Sequence, residues 1–163
     1  MRKLYKYIEK ERNYGYEIHE IYLPNEGPGF VNYERECIIL NTMYLNGERE
    51  DFGEENLIDV IYHELGHLEY FRMNPISKDH FNEDFRIKSE YYAFYYSLEK
   101  LFEIAINGDA EPLIASINWL KERIRKLLAN SLEDETLTHC KALEMISECD
   151  LYQKCLNYIN SLN

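Results

Sequence analysis

The sequence predicts an α+β domain with a small antiparallel sheet near the N-terminus and long helices after it. Three observations carry this prediction. Residues 16–41 contain short runs of aromatic and β-branched side chains separated by turn residues, which is typical of strands. Residues 54–74 and 83–107 read as long helices, and residues 112–128 repeat apolar side chains at helical spacing with basic residues on the other face.

The composition and charge indicate the broad class of protein. The chain has 163 residues, 45% of them hydrophobic, and a net charge of −12, which fits one soluble globular domain. We expect a single domain over residues 1–163, in which the helical extension 108–163 packs on the same core as residues 1–107. An acidic surface repels phosphate backbones, so direct nucleic-acid binding is disfavoured. No apolar run reaches the length of a membrane span and residues 1–10 lack a secretory pattern, so we expect a cytoplasmic location without membrane association.

The N-terminal part is predicted to begin with an amphipathic helix over residues 3–12, ended by Asn13 and Gly15. Three strands are expected after it, over residues 16–23, 30–33 and 36–41. The last of them is the most apolar, so we expect it to be the best buried. His19, in the first strand, is expected to be partly buried or at the surface rather than part of a site.

Four helical segments complete the prediction. The first begins near Glu54, whose charge complements the helix dipole, and ends before Pro75. The second runs from about residue 83 to residue 107 and is stopped by Gly108. The third has Asp109 as its expected N-cap. A last helix, or a broken pair, is expected over residues 134–161, where His139 is expected to be structural or exposed.

Four cysteines are spread along the chain without a CxxC pair: Cys37, Cys140, Cys149 and Cys155. In a cytoplasmic protein such cysteines are expected to be reduced and mostly buried.

The centre of the first long helix is a HExxH motif, His63-Glu64-Leu65-Gly66-His67. On a helix the two histidines project about 40° apart, so both imidazoles can bind one metal ion. Zinc favours neutral imidazole ligands, and a carboxylate beside a zinc-activated water can take its proton. This pattern predicts a Zn²⁺ site with Glu64 as the general base.

Two features of the surrounding helix support that interpretation over a solvated His/Glu face. Leu57, Ile61, Leu65 and Leu68 form an apolar sector, so the motif lies at the rim of a helix whose back is buried. Gly66 costs a helix about 1 kcal/mol relative to Ala. We therefore expect another chain segment to approach closely there.

A third metal ligand has to come from elsewhere in the chain, because catalytic zinc usually has three protein ligands. Metzincin spacing is excluded, since Tyr70 and Met73 occupy the positions that would need glycine and histidine. Glu90 is the best candidate, because its helix face also carries the small residues Ala93 and Ser97 that allow close packing. Glu83 and His80 are the alternatives.

An aromatic run, Tyr91-Tyr92-Ala93-Phe94-Tyr95-Tyr96, follows Glu90 and covers more than one helix face. Packing is the expected role of each ring, although one hydroxyl could donate to the oxyanion of a tetrahedral intermediate.

The HELGH pentapeptide, the strand ending at Asn41 and the segment Glu90-Tyr-Tyr-Ala93 resemble the ImmA/IrrE-type metallopeptidases over roughly residues 1–105. The resemblance implies a compact zincin-like, gluzincin-type zinc protease of the cytoplasm. It implies His63, His67 and Glu90 as metal ligands and Glu64 as the general base.

Members of that family are often encoded on phage or mobile elements, where they cleave or inactivate a repressor-type regulator. The resemblance thus implies a protein substrate or a regulatory protein partner. The alternative is a non-proteolytic interaction or inhibitor protein, which uses the same scaffold to bind a regulatory or defence protein. The oligomeric state and the role of the C-terminal helices are not predicted.

Overall fold

The computed structural model describes residues 2–131 and 136–163, and these form seven α-helices and one three-stranded sheet. The helices are α1 (Arg2–Asn13), α2 (Thr42–Leu45), α3 (Glu54–Met73), α4 (Glu83–Ile106), α5 (Glu111–Leu128), α6 (Leu137–Glu148) and α7 (Asp150–Ser161). The strands are β1 (Ile18–Ile21), β2 (Gly29–Asn32) and β3 (Cys37–Asn41), and a turn of 3₁₀ helix (Lys78–His80) precedes α4. The fold is α+β and mostly helical, as the sequence predicts.

The sheet differs from the antiparallel sheet predicted. Its strand order is β1-β3-β2, with β2 antiparallel to β3 but β1 parallel to β3. Ile18 pairs with Ile38 on one side of β3, and Val31 pairs with the same residue on the other side. The most apolar strand therefore occupies the centre, where both of its edges are hydrogen-bonded and all of its residues are buried.

The buried side chain of Asn41 explains this sheet order. Its Nδ2 donates to the carbonyl oxygens of Leu23 at 2.5 Å and Gly27 at 3.1 Å, and its Oδ1 accepts from the amide of Leu23 at 3.0 Å. These bonds hold the connection 22–28 across the end of β3, so that β2 enters on the far side of it. The connection also contains two prolines, which lack a backbone donor and do not fit a tight hairpin between β1 and β2.

The long helices lie where the sequence predicts, with two local corrections. Helix α2, which the sequence did not predict, begins where Asn41 Oδ1 accepts from the amide of Met43 at 3.1 Å. The N-cap of α5 is Ala110 rather than Asp109, because Asp109 accepts a hydrogen bond from the Tyr7 hydroxyl at 2.7 Å. The last helical segment is a broken pair that divides at Cys149, and its predicted start at residue 134 lies outside the described residues.

A single cluster of buried side chains joins the N-terminal helix and sheet to the C-terminal helices. Its members include Leu4, Ile38, Leu57, Ile61, Leu101, Ile117 and Leu143. Helices α5 to α7 therefore pack on the core that α3 and α4 share.

All four cysteines are free thiols; Cys37 and Cys155 are buried, whereas Cys140 and Cys149 are partly exposed. Among the described helices, none combines the length and apolar character needed to span a bilayer.

Candidate metal centre

Helices α3 and α4 pack in opposite directions with their backbones very close together. Gly66 lies against Ala93, since a Cβ built on Gly66 would lie 2.7 Å from the Cα of Ala93. Ser97 is fully buried farther along the same face, where its hydroxyl donates to Asp59. The predicted close approach at Gly66 is confirmed, and Ala93 and Ser97 are the small residues that permit it.

This packing brings the two histidines of the motif to the carboxylate of Glu90. His63 Nε2 lies 3.1 Å from Glu90 Oε1, and His67 Nε2 lies 3.1 Å from Glu90 Oε2. One ligand atom from each of the three residues lies within 4.8 Å of the others. The side chains are 11–19% exposed. Two imidazoles and one carboxylate, converging from two rigid helices, are the donor set that catalytic zinc uses.

The alternative third ligands lie elsewhere. Glu83 is exposed and forms an ion pair with Lys141 at 3.0 Å. His80 is exposed on the 3₁₀ turn that precedes α4. Neither residue belongs to the group of converging ligand atoms, so the structure places Glu90 alone of the three candidates beside the HExxH histidines.

The charges of these residues strongly affect one another's pKa values. Burial by itself would raise the pKa of Glu90, but the charge of His63 and hydrogen bonds from three histidines hold that pKa well below its usual range. Burial would likewise lower the pKa of His63, but the Glu90 carboxylate raises it to about 9. Glu90 therefore favours a proton on His63, and the two charges stabilise each other. A metal ion that binds there displaces this proton.

Glu64 lies beside the metal-ligand candidates and lines the same groove as His67 and Glu90. Burial raises the pKa of Glu64, and the charge of Glu90 raises it further, although the two histidines oppose the shift. A carboxylate with a raised pKa is better suited to accept a proton near neutral pH. The residue predicted as general base therefore has a suitable environment.

An outer partner orients the imidazole of His67. His67 Nδ1 lies 2.8 Å from Ser89 Oγ, so that its Nδ1–H can donate to the hydroxyl while Nε2 faces Glu90. Such a partner fixes the ring orientation of a metal-binding histidine. Asp59 acts on His63 through its charge, which is among those that raise the pKa of His63. Neither role was predicted from the sequence, although Asp59 stands four residues before His63 and Ser89 directly precedes Glu90.

An open groove of about 1100 Å³ leads to these residues. One wall is the strand β2, represented by Phe30 and Val31, and the opposite side is formed by the segment 78–86 and the start of α6. Gly29 allows the strand to approach, since a Cβ there would lie 2.8 Å from Val60 Cγ1 and 3.3 Å from Glu64 Cγ. The edge of the sheet therefore lies directly beside Glu64.

The tyrosines of the run 91–96 pack, as expected, and none of them lines the groove. Tyr92 packs against Tyr70 with tilted rings, and Tyr96 approaches the hydroxyl of Tyr16. The tyrosine that does line it is Tyr33, just after β2. Its ring packs against Phe71 and Phe81, with centroids 5.2 and 5.1 Å away.

Tyr33 is also electrostatically coupled to the site. Burial, together with the charges of Glu64 and Glu90, raises the pKa of Tyr33 to about 12. The phenol therefore stays protonated at neutral pH and remains a hydrogen-bond donor. No sequence spacing relates Tyr33 to the HExxH motif, so only the fold could reveal it.

A further histidine enters the site from the C-terminal helices. His139, in the first turn of α6, has its Nε2 3.2 Å from Glu90 Oε1. Its side chain is 41% exposed, as the sequence analysis allowed, but it also contacts the proposed third metal ligand. No spacing or motif in the sequence links His139 to Glu90.

A second group of potential metal ligands, Glu17, His19 and Cys37, lies at the start of β1 and β3. His19 Nε2 lies 2.5 Å from Glu17 Oε1, and both side chains are largely exposed. His19 is thus at the surface, as expected, and it does not line the groove.

Comparisons of this chain with models of protein families, with curated proteins and with solved structures find no match. The resemblance to the ImmA/IrrE-type metallopeptidases stays a prediction of the sequence. The chemical argument for the site therefore rests on its side chains.

Proposed function

We propose that this protein is a zinc-dependent endopeptidase with a zincin-like architecture, acting on a protein in the cytoplasm. The observation that carries the proposal is the convergence of His63, His67 and Glu90 at a groove that also contains Glu64. Three ligands of this type and an adjacent carboxylate are the minimum set for metal-assisted hydrolysis. A repressor-type regulator is the substrate class that the family resemblance suggests.

Bound at His63, His67 and Glu90, zinc would supply a Lewis acid that lowers the pKa of a coordinated water toward neutrality. Glu64 then accepts the proton of the attacking water and later delivers it to the leaving amine. Its raised pKa favours both steps, because a carboxylate that holds a proton briefly must not be too acidic. Ser89 keeps the imidazole of His67 in the orientation that presents Nε2.

The strand β2 supplies a binding surface for an extended substrate. In the described part of the chain it is an edge strand, paired on one side only, with β3. An extended peptide can add to such an edge through backbone hydrogen bonds, which give affinity with little sequence preference. Because Gly29 brings this strand against Glu64, a peptide bound along it would pass beside the general base.

The hydroxyl of Tyr33 is the proposed donor to the oxyanion that develops on the scissile carbonyl. It lines the groove with Glu64, and its high pKa keeps the proton in place. A positioned neutral donor of this kind stabilises the transition state more than the ground state. The aromatic wall formed by Phe71 and Phe81 restricts the ring.

The proposal is tested by cleavage of a proteome-derived peptide library, with new N-termini identified by mass spectrometry. The zinc-loaded wild-type protein should generate new N-termini. Glu64→Gln should generate none while still binding one zinc per chain. Tyr33→Phe should slow cleavage by about 10²-fold or more, as loss of one oxyanion donor does elsewhere, with zinc content unchanged.

The matched control is Glu55→Gln, which removes a carboxylate from the first turn of the same helix and should leave cleavage intact. Equal cleavage by Glu64→Gln and the wild type would reject hydrolysis at this centre. Absence of cleavage by a zinc-loaded wild type would favour the alternative, a protein that binds its partner without cutting it.

A further inference from the structure

The imidazole of His139 is held between two partners at the start of α6. Its Nε2 lies 3.2 Å from Glu90 Oε1, and its Nδ1 lies 3.0 Å from the hydroxyl of Thr136. The same hydroxyl is the N-cap of α6, because it accepts a hydrogen bond from the amide of His139 at 3.3 Å. The helix cap and the imidazole are therefore ordered by one residue.

Because an ionised carboxylate can only accept a hydrogen bond, Nε2 of His139 carries a proton in this contact. A neutral imidazole that carries its proton on Nε2 donates to Glu90 Oε1 and accepts from the Thr136 hydroxyl at Nδ1. The hydroxyl oxygen still has a lone pair for the amide of His139. The result is a continuous path of hydrogen bonds from the cap of α6 to the carboxylate.

The packing of α6 supports a fixed position for this imidazole. Ala142, Leu143 and Ile146 on the same helix are buried in the main core. Lys141 forms an ion pair with Glu83 at 3.0 Å, which ties the first turns of α6 to the first turn of α4. His139 thus approaches Glu90 from a helix that is anchored by its core-facing side chains and by this ion pair.

The distances distinguish His139 from the metal-ligand candidates. His63, His67 and Glu90 each place a ligand atom within 4.8 Å of the other two, and His139 does not belong to this group. Of these three residues, Glu90 is the one whose carboxylate lies within hydrogen-bond distance of His139 Nε2, at 3.2 Å. Carboxylate ligands of metal sites are commonly hydrogen-bonded by such outer partners, which orient them.

We propose that His139 is a positioning residue of the metal centre, which orients the Glu90 carboxylate toward an ion shared with His63 and His67. The inference rests on the metal centre of the proposed function, but it does not depend on peptide hydrolysis. It assigns a role to the C-terminal helical extension, which completes the centre from a second part of the chain.

The test compares zinc affinity among variants of the full chain by competition with a chromophoric chelator at one fixed pH. His139→Leu removes the donor, and we expect it to weaken zinc binding by about 10- to 100-fold, as loss of an outer partner does elsewhere. His139→Gln places an amide N–H near the position of Nε2 and should restore affinity to within about threefold of the wild type, since it keeps the donor. His80→Gln, at an exposed histidine near the same groove, is the control and should change nothing.

A spectroscopic measurement separates positioning from direct ligation. Co²⁺ is loaded in place of zinc, and the visible absorption of His139→Leu should keep the band positions and intensities of the wild type, because the ligand set is unchanged. Changed bands, together with failure of His139→Gln to restore affinity, would make His139 a ligand and overturn the proposal. Wild-type zinc affinity in His139→Leu would overturn it as well.

The inference can still be tested if one variant misfolds. If His139→Leu fails to fold, Thr136→Val removes the partner of Nδ1 and is expected to lower zinc affinity in the same direction, with unchanged affinity as the contradicting result. A wild-type protein that binds zinc tightly without cleaving peptides would reject the proposed function and leave this inference standing. A wild-type protein that binds no zinc would reject both.

Discussion

In the described part of the chain, two groups of side chains bring potential metal ligands together: the helical group, which is His63, His67 and Glu90, and the sheet group, which is Glu17, His19 and Cys37. The two groups differ in burial and in their partners. His63, His67 and Glu90 lie between two helices, with side chains 11–19% exposed. In the other group, the side chains of Glu17 and His19 are 56% and 44% exposed. Both groups therefore bring ligand atoms together, but in the sheet group only Cys37 is buried.

The partners of these side chains differ as well. In the helical group, His67 has Ser89 as an outer partner, and Glu90 has His139. In the sheet group, Glu17 and His19 hydrogen-bond to each other. Metal sites need ligands whose orientation is fixed by further contacts. The comparison indicates that the network around a cluster is more informative than the distances within it.

The largest expected effect comes from removing a ligand of the helical group. His67→Ala should reduce zinc binding from one ion per chain to none at micromolar zinc, since a loss from the primary ligand set exceeds the ~10- to 100-fold loss typical of outer partners. The measurement is metal content after gel filtration, by atomic emission. His19→Ala and Cys37→Ser are the matched controls and should both retain one zinc. A lower zinc content in either control would show that the sheet group is also a metal site.

The next effect concerns the packing that places Glu90 beside the histidines. Gly66→Ala puts a Cβ 2.7 Å from the Cα of Ala93, where only backbone movement can relieve the overlap. We expect a loss of about 1–3 kcal/mol in the free energy of unfolding, as overpacking typically causes, even though alanine favours a helix. Urea denaturation measures it, and zinc affinity should fall in parallel.

Gly27→Ala is the control for that substitution. A Cβ on Gly27 would have no heavy atom within 4 Å, and its backbone does not require glycine. The change should stay within about 0.5 kcal/mol, as surface substitutions usually do. Equal stability of Gly66→Ala and Gly27→Ala would contradict the assigned role of the close helix contact.

The helical group could be predicted from the sequence because the features that determine it are local. The spacing of His63 and His67 sets their direction on one helix, and Gly66, Ala93 and Ser97 indicate which helix faces can come close. Glu90 follows from the second point, since it shares a face with the small residues. These features need no knowledge of how distant segments meet.

The remaining parts of the site depend on such distant contacts. The order of the sheet follows from the hydrogen bonds that Asn41 makes with the connection 22–28, and a strand pattern does not contain that information. Tyr33 reaches the groove because β2 is an edge strand, and His139 reaches Glu90 because α6 folds back onto α4. Residues of this kind become visible only when the chain is folded.

The smallest expected effect concerns the feature that distinguishes the helical group, which is the outer hydrogen-bond partner of a ligand. Ser89→Ala removes the oxygen that lies 2.8 Å from His67 Nδ1 while leaving every metal-ligand candidate in place. The imidazole then loses one of its two orienting contacts, and zinc affinity should fall by about tenfold, the lower end of the range for outer partners. Chelator competition measures the change, with Ser77→Ala as the control at an exposed serine whose side chain does not cap the 3₁₀ turn. Because Ser89 is buried, unfolding by urea is followed in parallel, and a drop in zinc affinity that merely tracks lost stability would assign Ser89 to packing. An affinity loss at unchanged stability would show that the contacts around the imidazole, and not its proximity to Glu90 alone, make the helical group a metal site.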